Sequence, residues 1–180
     1  CVTYDPTYGY EVAVIVRDGL RRMYENNENI FYYLTLMNEN YQHPAMPEDK
    51  DIADQIIKGI YKLETVESAS SKAKVQLMGS GTILLQVREA AQILANDYGV
   101  SSDVYSVTSF NELAREGQEV VRQNMLNPEG EQQVPYVGKV ITKENGPAIA
   151  ATDYVKAYSD QVRAFIDTEY RCLGTDGFGR

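Results

Sequence analysis

The chain has 180 residues, 43% hydrophobic and 24% charged, which is ordinary globular composition and enough for one sizeable core or for one domain and part of another. Its net charge of -9 and sequence pI of about 4.7 argue against nucleic acid and anionic membrane surfaces as partners. No apolar run is long enough for a transmembrane helix, the start CVTYDPTYG lacks a signal-peptide pattern, and Cys1 and Cys172 fit a reducing, cytoplasmic compartment without metal-ligand spacing. Neither the Cys1 start nor the mid-loop end at GTDGFGR looks like a natural terminus, so the chain reads as a piece of something longer. In chain order, residues 1–8 form a short strand end and a turn around Pro6. The spacing predicts a helix over 9–25, with Ala13, Val16, Leu20, Met23 and Tyr24 on one face and Val14 and Ile15 widening it into a mostly buried element. Residues 30–36 lack alternation and predict a central parallel strand covered on both faces.

The chain then turns abruptly polar. Asn38, Glu39, Asn40, Tyr41, Gln42 and His43, the only histidine, crowd a loop that Pro44 and Pro47 stiffen. A helix follows from an Asp51 cap to Lys58 and stops at Gly59. The polar, serine-rich stretch 61–74 marks the expected domain boundary. Beyond it, strands over 74–79, 103–107, 134–141, 147–153 and 170–176 alternate with helices over 83–98, 109–124 and 154–166. Gly99 stops the first of these helices, and a Ser109–Glu112 capping box starts the second. The order predicts an α/β fold with a mainly parallel sheet and flanking helices.

In open α/β sheets, ligands bind beyond the carboxyl ends of strands, and residues 38–43 follow such an end. Glu39 can act as a base or accept a ligand N–H, His43 is suited to proton exchange near neutral pH, and Asn38, Tyr41 and Gln42 can orient a polar ligand. The competing reading is a solvated loop in which the prolines merely set the path to the next helix. GSGT at 79–82 could offer backbone N–H groups to a phosphate, but it is neither GxGxxG nor a P-loop, and a tight strand-to-helix turn needs glycine on steric grounds. Asp176, within GTDGFGR, could bind a cation or an amine, or could form a plain turn.

The runs YDPTYGYEVAVIVRDGLRRMY, NENYQHPAMPE, IIKGIYKLET, VQLMGSGTIL, YGVSSDVYSVTSFNELAREG and YRCLGTDGFGR span the whole chain in order. Together they resemble the decarboxylating first component of the pyruvate dehydrogenase complex, in its homodimeric bacterial form, a transketolase-like thiamine diphosphate enzyme. The resemblance implies that residues 1–60 are the last part of a pyrimidine-binding domain and residues 61–180 most of a transketolase-like C-terminal domain. It implies thiamine diphosphate and Mg²⁺ as cofactors of the complete enzyme. The family's diphosphate and metal motif, GDG followed some thirty residues on by asparagine, is absent from this sequence, and the glutamate that activates the cofactor would lie upstream of Cys1.

The implied reaction decarboxylates pyruvate on the cofactor, which serves as electron sink, and passes the acetyl unit to a lipoyl group on the acetyltransferase component. By position, the resemblance makes Glu39 an active-centre acid and His43 an active-site group, with Gln42 as the alternative holder of that place. Tyr4 and Tyr8 fall in the stretch lining the pyrimidine pocket. The isolated piece is expected to be inactive. The rival class is an interaction module that docks the homodimer partner or the acetyltransferase component through its acidic surface. A relative acting on other 2-keto acids or on sugar phosphates is a third reading. The 38–50 loop has no paired basic motif for a phosphate, which favours pyruvate.

Overall fold

The computed structural model describes residues 1–71 and 73–177, and these form a mixed α/β fold with two sheets. The first is a parallel pair, β1 (Val2–Tyr4) and β2 (Tyr32–Leu34), in the register Val2↔Tyr32 to Tyr4↔Leu34. Between them runs α1 (Gly9–Leu20), which continues as a π-helical turn over Arg21–Glu25, and α2 (Ile52–Lys58) follows the loop. The second sheet has five strands in the order β3 (Ile60–Val66), β5 (Val100–Val107), β4 (Ala73–Gly79), β6 (Ala148–Ala151) and β7 (Tyr170–Leu173). Only β3 is antiparallel to its neighbour. Helix α3 (Ile83–Ile93) packs on one face, while α4 (Phe110–Leu126), α5 (Tyr136–Val140) and α6 (Lys156–Asp160) lie among the elements of the other core. Alternation in β4 and β5 serves both faces, since Leu77 and Val104 meet α3, whereas Met78, Tyr105 and Val107 join the opposite core. Among the described residues no helix is long and apolar enough to cross a membrane.

Several stop and start signals act as their chemistry requires. Gly59 and Gly99 take left-handed backbone at the ends of α2 and of the π turn after α3. Ser109 Oγ accepts the Glu112 N–H at 3.0 Å and opens α4.

Other expectations are corrected. The stretch 134–141 is not a strand but contains α5. Glu116 accepts the Tyr136 N–H at 2.9 Å, and Val137 and Ile141 bury together at helical spacing. The helix expected over 154–166 is instead the short α6 and a 3₁₀ turn at Arg163–Phe165. Asp51 makes no side-chain cap on α2, and the adjacent Asp49 carboxylate takes the Asp51 N–H and the Gln55 amide instead. Helix α1 buries Glu11, Val14, Ile15 and Gly19, leaving Val16 and Leu20, and Tyr24 in the π turn that follows, exposed. Strand β2 is short, and Phe31, Tyr33 and Leu36 around it are about 60% exposed, so these residues do not cover it on both faces. Apart from these corrections, the polar 61–74 stretch contains edge strand β3, whose outward positions account for its polarity.

Across β3, β5 and β4 the buried Asp103 carboxylate takes Lys62 Nζ at 2.7 Å, Lys74 Nζ at 2.8 Å and the Thr65 hydroxyl at 2.7 Å. Burial alone would raise this carboxyl, but the bonds from Lys62, Lys74 and Thr65 outweigh it and hold it below the usual carboxylate range. Its stabilisation is therefore present above the unfolded carboxylate pKa of about 4 and is lost as pH falls through the lower folded value. Asp103→Asn is expected to cost about 1–2 kcal/mol at pH 7, discounted because both lysines are partly exposed. Urea unfolding at pH 7 and below pH 4 checks this, and the gap between variant and wild type closes at the lower pH.

Candidate functional site

The loop after β2 lies on the carboxyl rim of the parallel pair. Thr35 N–H donates to Tyr4 C=O at 3.0 Å, extending the ladder one step beyond Leu34, and the chain then crosses the start of α1. The Met37 methyl passes beside Gly81. Tyr41 donates its hydroxyl to Thr7 C=O. His43 accepts the Gly9 N–H on Nδ1 at 2.9 Å, and its ring stacks on Tyr41 with centroids 4.7 Å apart and planes 17° apart. Tyr8 stands edge-on to both rings, at 6.5 Å from Tyr41 and 6.2 Å from His43. An amide N–H can only donate, so Nδ1 must carry the lone pair and the neutral ring holds its proton on Nε2.

The structure thus brings Tyr8, Tyr41 and His43 into one aromatic cluster at the N-terminus of α1. Asn38, Glu39 and Gln42 are exposed on the same loop and make no hydrogen bond to another described residue. Tyr4 lies apart from the cluster, buried to 1% exposure, with its hydroxyl donating to Ile57 C=O at 2.8 Å. Tyr8 is fully buried, and its hydroxyl accepts from Arg88 at 3.2 Å, the same guanidinium that forks onto Glu64. Burial pushes the hydroxyls of both tyrosines up, although Arg88 opposes the rise at Tyr8, so both remain protonated at neutral pH.

Sequence reasoning missed Glu11. It is fully buried in the first turn of α1, where its Oε2 accepts Thr7 N–H at 2.5 Å and Tyr8 N–H at 2.8 Å. Its Oε1 accepts the Tyr61 hydroxyl at 2.6 Å and the Ser106 hydroxyl at 2.7 Å. Because Tyr61 donates to Glu11, its oxygen accepts from Tyr10 in the 2.6 Å contact between the two tyrosines. Burial pushes the Glu11 carboxyl above the usual range, and the bonds from Tyr61, Ser106, Tyr8 and Thr7 oppose that rise. The available signal was a carboxylate three residues after a turn, at the head of the apolar run VAVIV.

The other two motifs resolve into packing. Gly81 N–H donates to Asp5 C=O at 3.2 Å and Gly81 C=O accepts the Thr7 hydroxyl at 2.8 Å, so the GSGT turn is clipped to the segment between β1 and α1. A Cβ on Gly79 would stand 2.8 Å from Leu84 Cα, which explains the glycine sterically. Asp176 takes an amine of this chain, Lys156 Nζ at 2.7 Å, and accepts the Lys156 N–H at the start of α6. Residues 178–180 of that motif lie outside the described residues. The same segment also meets α6 and the chain just before it at Asp5, whose carboxylate accepts the hydroxyls of Tyr154 at 2.9 Å and Tyr158 at 2.6 Å.

Residues 1–44 match the family model described as pyruvate dehydrogenase E1 component middle domain, and residues 59–180 match transketolase-like TK C-terminal domain. The whole chain is 60% identical over 182 aligned residues to the pyruvate dehydrogenase E1 component of Escherichia coli (strain K12). It is 57% identical to the protein of that name from Haemophilus influenzae and 49% identical to that from Cupriavidus necator. All of this chain is covered in each case, yet it spans only 20% of the length of these relatives. With its mostly parallel five-stranded sheet and a matching model over two-thirds of its length, the chain belongs to the transketolase-like family.

Proposed function

We propose that the chain is part of a cytoplasmic, homodimeric pyruvate dehydrogenase first component that decarboxylates pyruvate on thiamine diphosphate and passes the acetyl unit to the lipoyl group of an acetyltransferase component. The observation that carries this reading is likeness along the entire chain to proteins named pyruvate dehydrogenase E1 component. We divide the chain near residue 60, into the end of a pyrimidine-binding domain and a transketolase-like C-terminal domain. The diphosphate and Mg²⁺ are assigned to parts of the enzyme outside residues 1–180.

Donor chemistry on the loop fits the reacting end of such a cofactor. Exposed acceptors and donors stand on a sheet rim, backed by the half-buried ring of Tyr41 and the buried ring of Tyr8. When bound, thiamine diphosphate supplies a nucleophilic carbon and an electron sink for the loss of carbon dioxide. Glu39 holds or moves a proton at a substrate oxygen. His43 offers its Nε2–H as a hydrogen-bond donor, because Nδ1 is engaged by Gly9. Asn38 and Gln42 orient the substrate, while Tyr41, with its hydroxyl committed to Thr7, contributes its ring. Tyr8 acts as the buried aromatic wall behind the loop, and Tyr4, its hydroxyl on Ile57 and its ring on Tyr32, supports the strand pair from which the loop leaves.

In the full-length protein supplied with thiamine diphosphate and Mg²⁺, we expect pyruvate-dependent carbon dioxide release coupled to an artificial electron acceptor. The 180-residue chain alone is expected to be silent in the same assay. A full-length protein that leaves pyruvate untouched, or an isolated chain that turns it over, overturns the reading.

A further inference from the structure

We propose that Glu11 is a positioning residue for the 38–43 loop: its carboxylate fixes the backbone on which Tyr41 and His43 dock, and so holds the His43 proton on Nε2. The functional weight of this inference rests on the reading of the loop given above, while its geometry does not. The Thr7–Tyr8 peptide is gripped from both sides. Its N–H donates inward to Glu11, and its C=O accepts the Tyr41 hydroxyl from outside. The preceding Thr7 N–H also donates to Glu11. One residue further on, the Gly9 N–H meets His43 Nδ1. Glu11 therefore reaches His43 by two short routes. One runs through the Thr7–Tyr8 peptide to the Tyr41 ring stacked on the imidazole, and the other runs along the backbone to Gly9.

The carboxylate has no salt-bridge partner among the described residues. A buried charge without a cation is costly unless hydrogen bonds fill its lone pairs. Here four donors from three parts of the chain fill them: the loop before α1, β3 and β5. The two hydroxyls, from Tyr61 and Ser106, tie the carboxylate to the five-stranded sheet. The two N–H groups transmit that fixed position to the rim. A glutamine fills the site less well, because its single amide oxygen can serve the two N–H groups only if its NH₂ faces the Tyr61 and Ser106 hydroxyls, which must then reverse and accept, and the charge-assisted bonds to the sheet are lost.

His43 is the only histidine, so the 180-residue chain gives one imidazole signal pair in long-range ¹H–¹⁵N spectra. The wild type is expected to show a single neutral tautomer, protonated on Nε2. Glu11→Gln is expected to give a mixture of tautomers and to speed amide exchange at Gly9 roughly tenfold or more. Gly9→Pro serves as the positive control. It replaces the N–H that His43 reads by a ring carbon that displaces the imidazole from Nδ1 contact, at the first helical position, where proline suits the backbone and where Tyr8 already has the extended conformation that precedes it. A tautomer that is lost in Gly9→Pro but retained unchanged in folded Glu11→Gln overturns the proposal. If Glu11→Gln does not fold, amide exchange in the wild type decides. Common protection of Thr7, Tyr8 and Gly9 supports the linkage, and a Gly9 that exchanges like unstructured chain while Tyr8 is protected overturns it. None of these signals depends on turnover, so they stand or fall separately from the assignment of pyruvate as substrate.

Discussion

Glu39→Gln in the full-length protein is expected to lower kcat for pyruvate decarboxylation by roughly 10²-fold or more, the range for loss of a positioned proton-handling group. The substitution keeps the size and polarity of the side chain and removes only the ionisable oxygen. Glu39 is exposed and bonded to no other described residue, so the fold has nothing to lose. Stability should stay within about 0.5 kcal/mol of wild type, as for other surface changes. Steady-state kinetics with pyruvate, alongside a thermal melt, separates the two effects. A larger fall in kcat than in affinity indicates a group acting in the transition state rather than in binding. Unchanged kcat with an unchanged melt would mean that the 38–43 loop is a solvated connection and that the proton is handled elsewhere.

That outcome bears on what the sequence can carry. The alternation of strands and helices, the glycine stops at 59 and 99 and the Ser109 cap are local signals, and local physics decided them. The stretch VPYVGKVI reads as a strand because valine and isoleucine favour pleated surfaces. It became α5 because Glu116, twenty residues earlier, supplies the acceptor for its first free N–H. Likewise α1 offered two apolar sides to the rest of the protein. Which one faces inward was settled by Glu11 meeting Tyr61 and Ser106, contacts 50 and 95 residues distant in sequence. The polar crowd at 38–43 was visible as a cluster following a strand. Its internal division into exposed Asn38, Glu39 and Gln42 and docked Tyr41 and His43 was not, because the docking partners are backbone groups of a helix start 34 residues away. Side-chain identity announces chemistry, whereas the surface that holds a side chain still is often an anonymous N–H or C=O.

Gly146→Ala is expected to cost about 3 kcal/mol or more, combining backbone strain with overpacking. Residue 146 has φ 87° and ψ -172°, a conformation open to glycine and strained for any L side chain. A Cβ there would also press into the carbonyl of Lys74 in β4, and backbone in a central strand cannot step aside cheaply. The glycine's own carbonyl accepts Gln76 Nε2 at 2.7 Å and the Thr168 hydroxyl at 3.1 Å. Gln76 is fully buried, and its amide also bonds Thr142 in both directions, so a shift at 146 would disturb four hydrogen bonds at the entrance to β6. The melting temperature should drop by roughly 10 °C for a chain of this size. Gly9→Ala provides the contrast, because its added carbon would meet nothing closer than His43 Nδ1 at 3.6 Å, an ordinary contact. If differential scanning calorimetry finds the two variants equally stable, the turn before β6 is not held by its positive φ, and the Gln76 network is not the rigid hinge between β4 and β6 that these bonds describe.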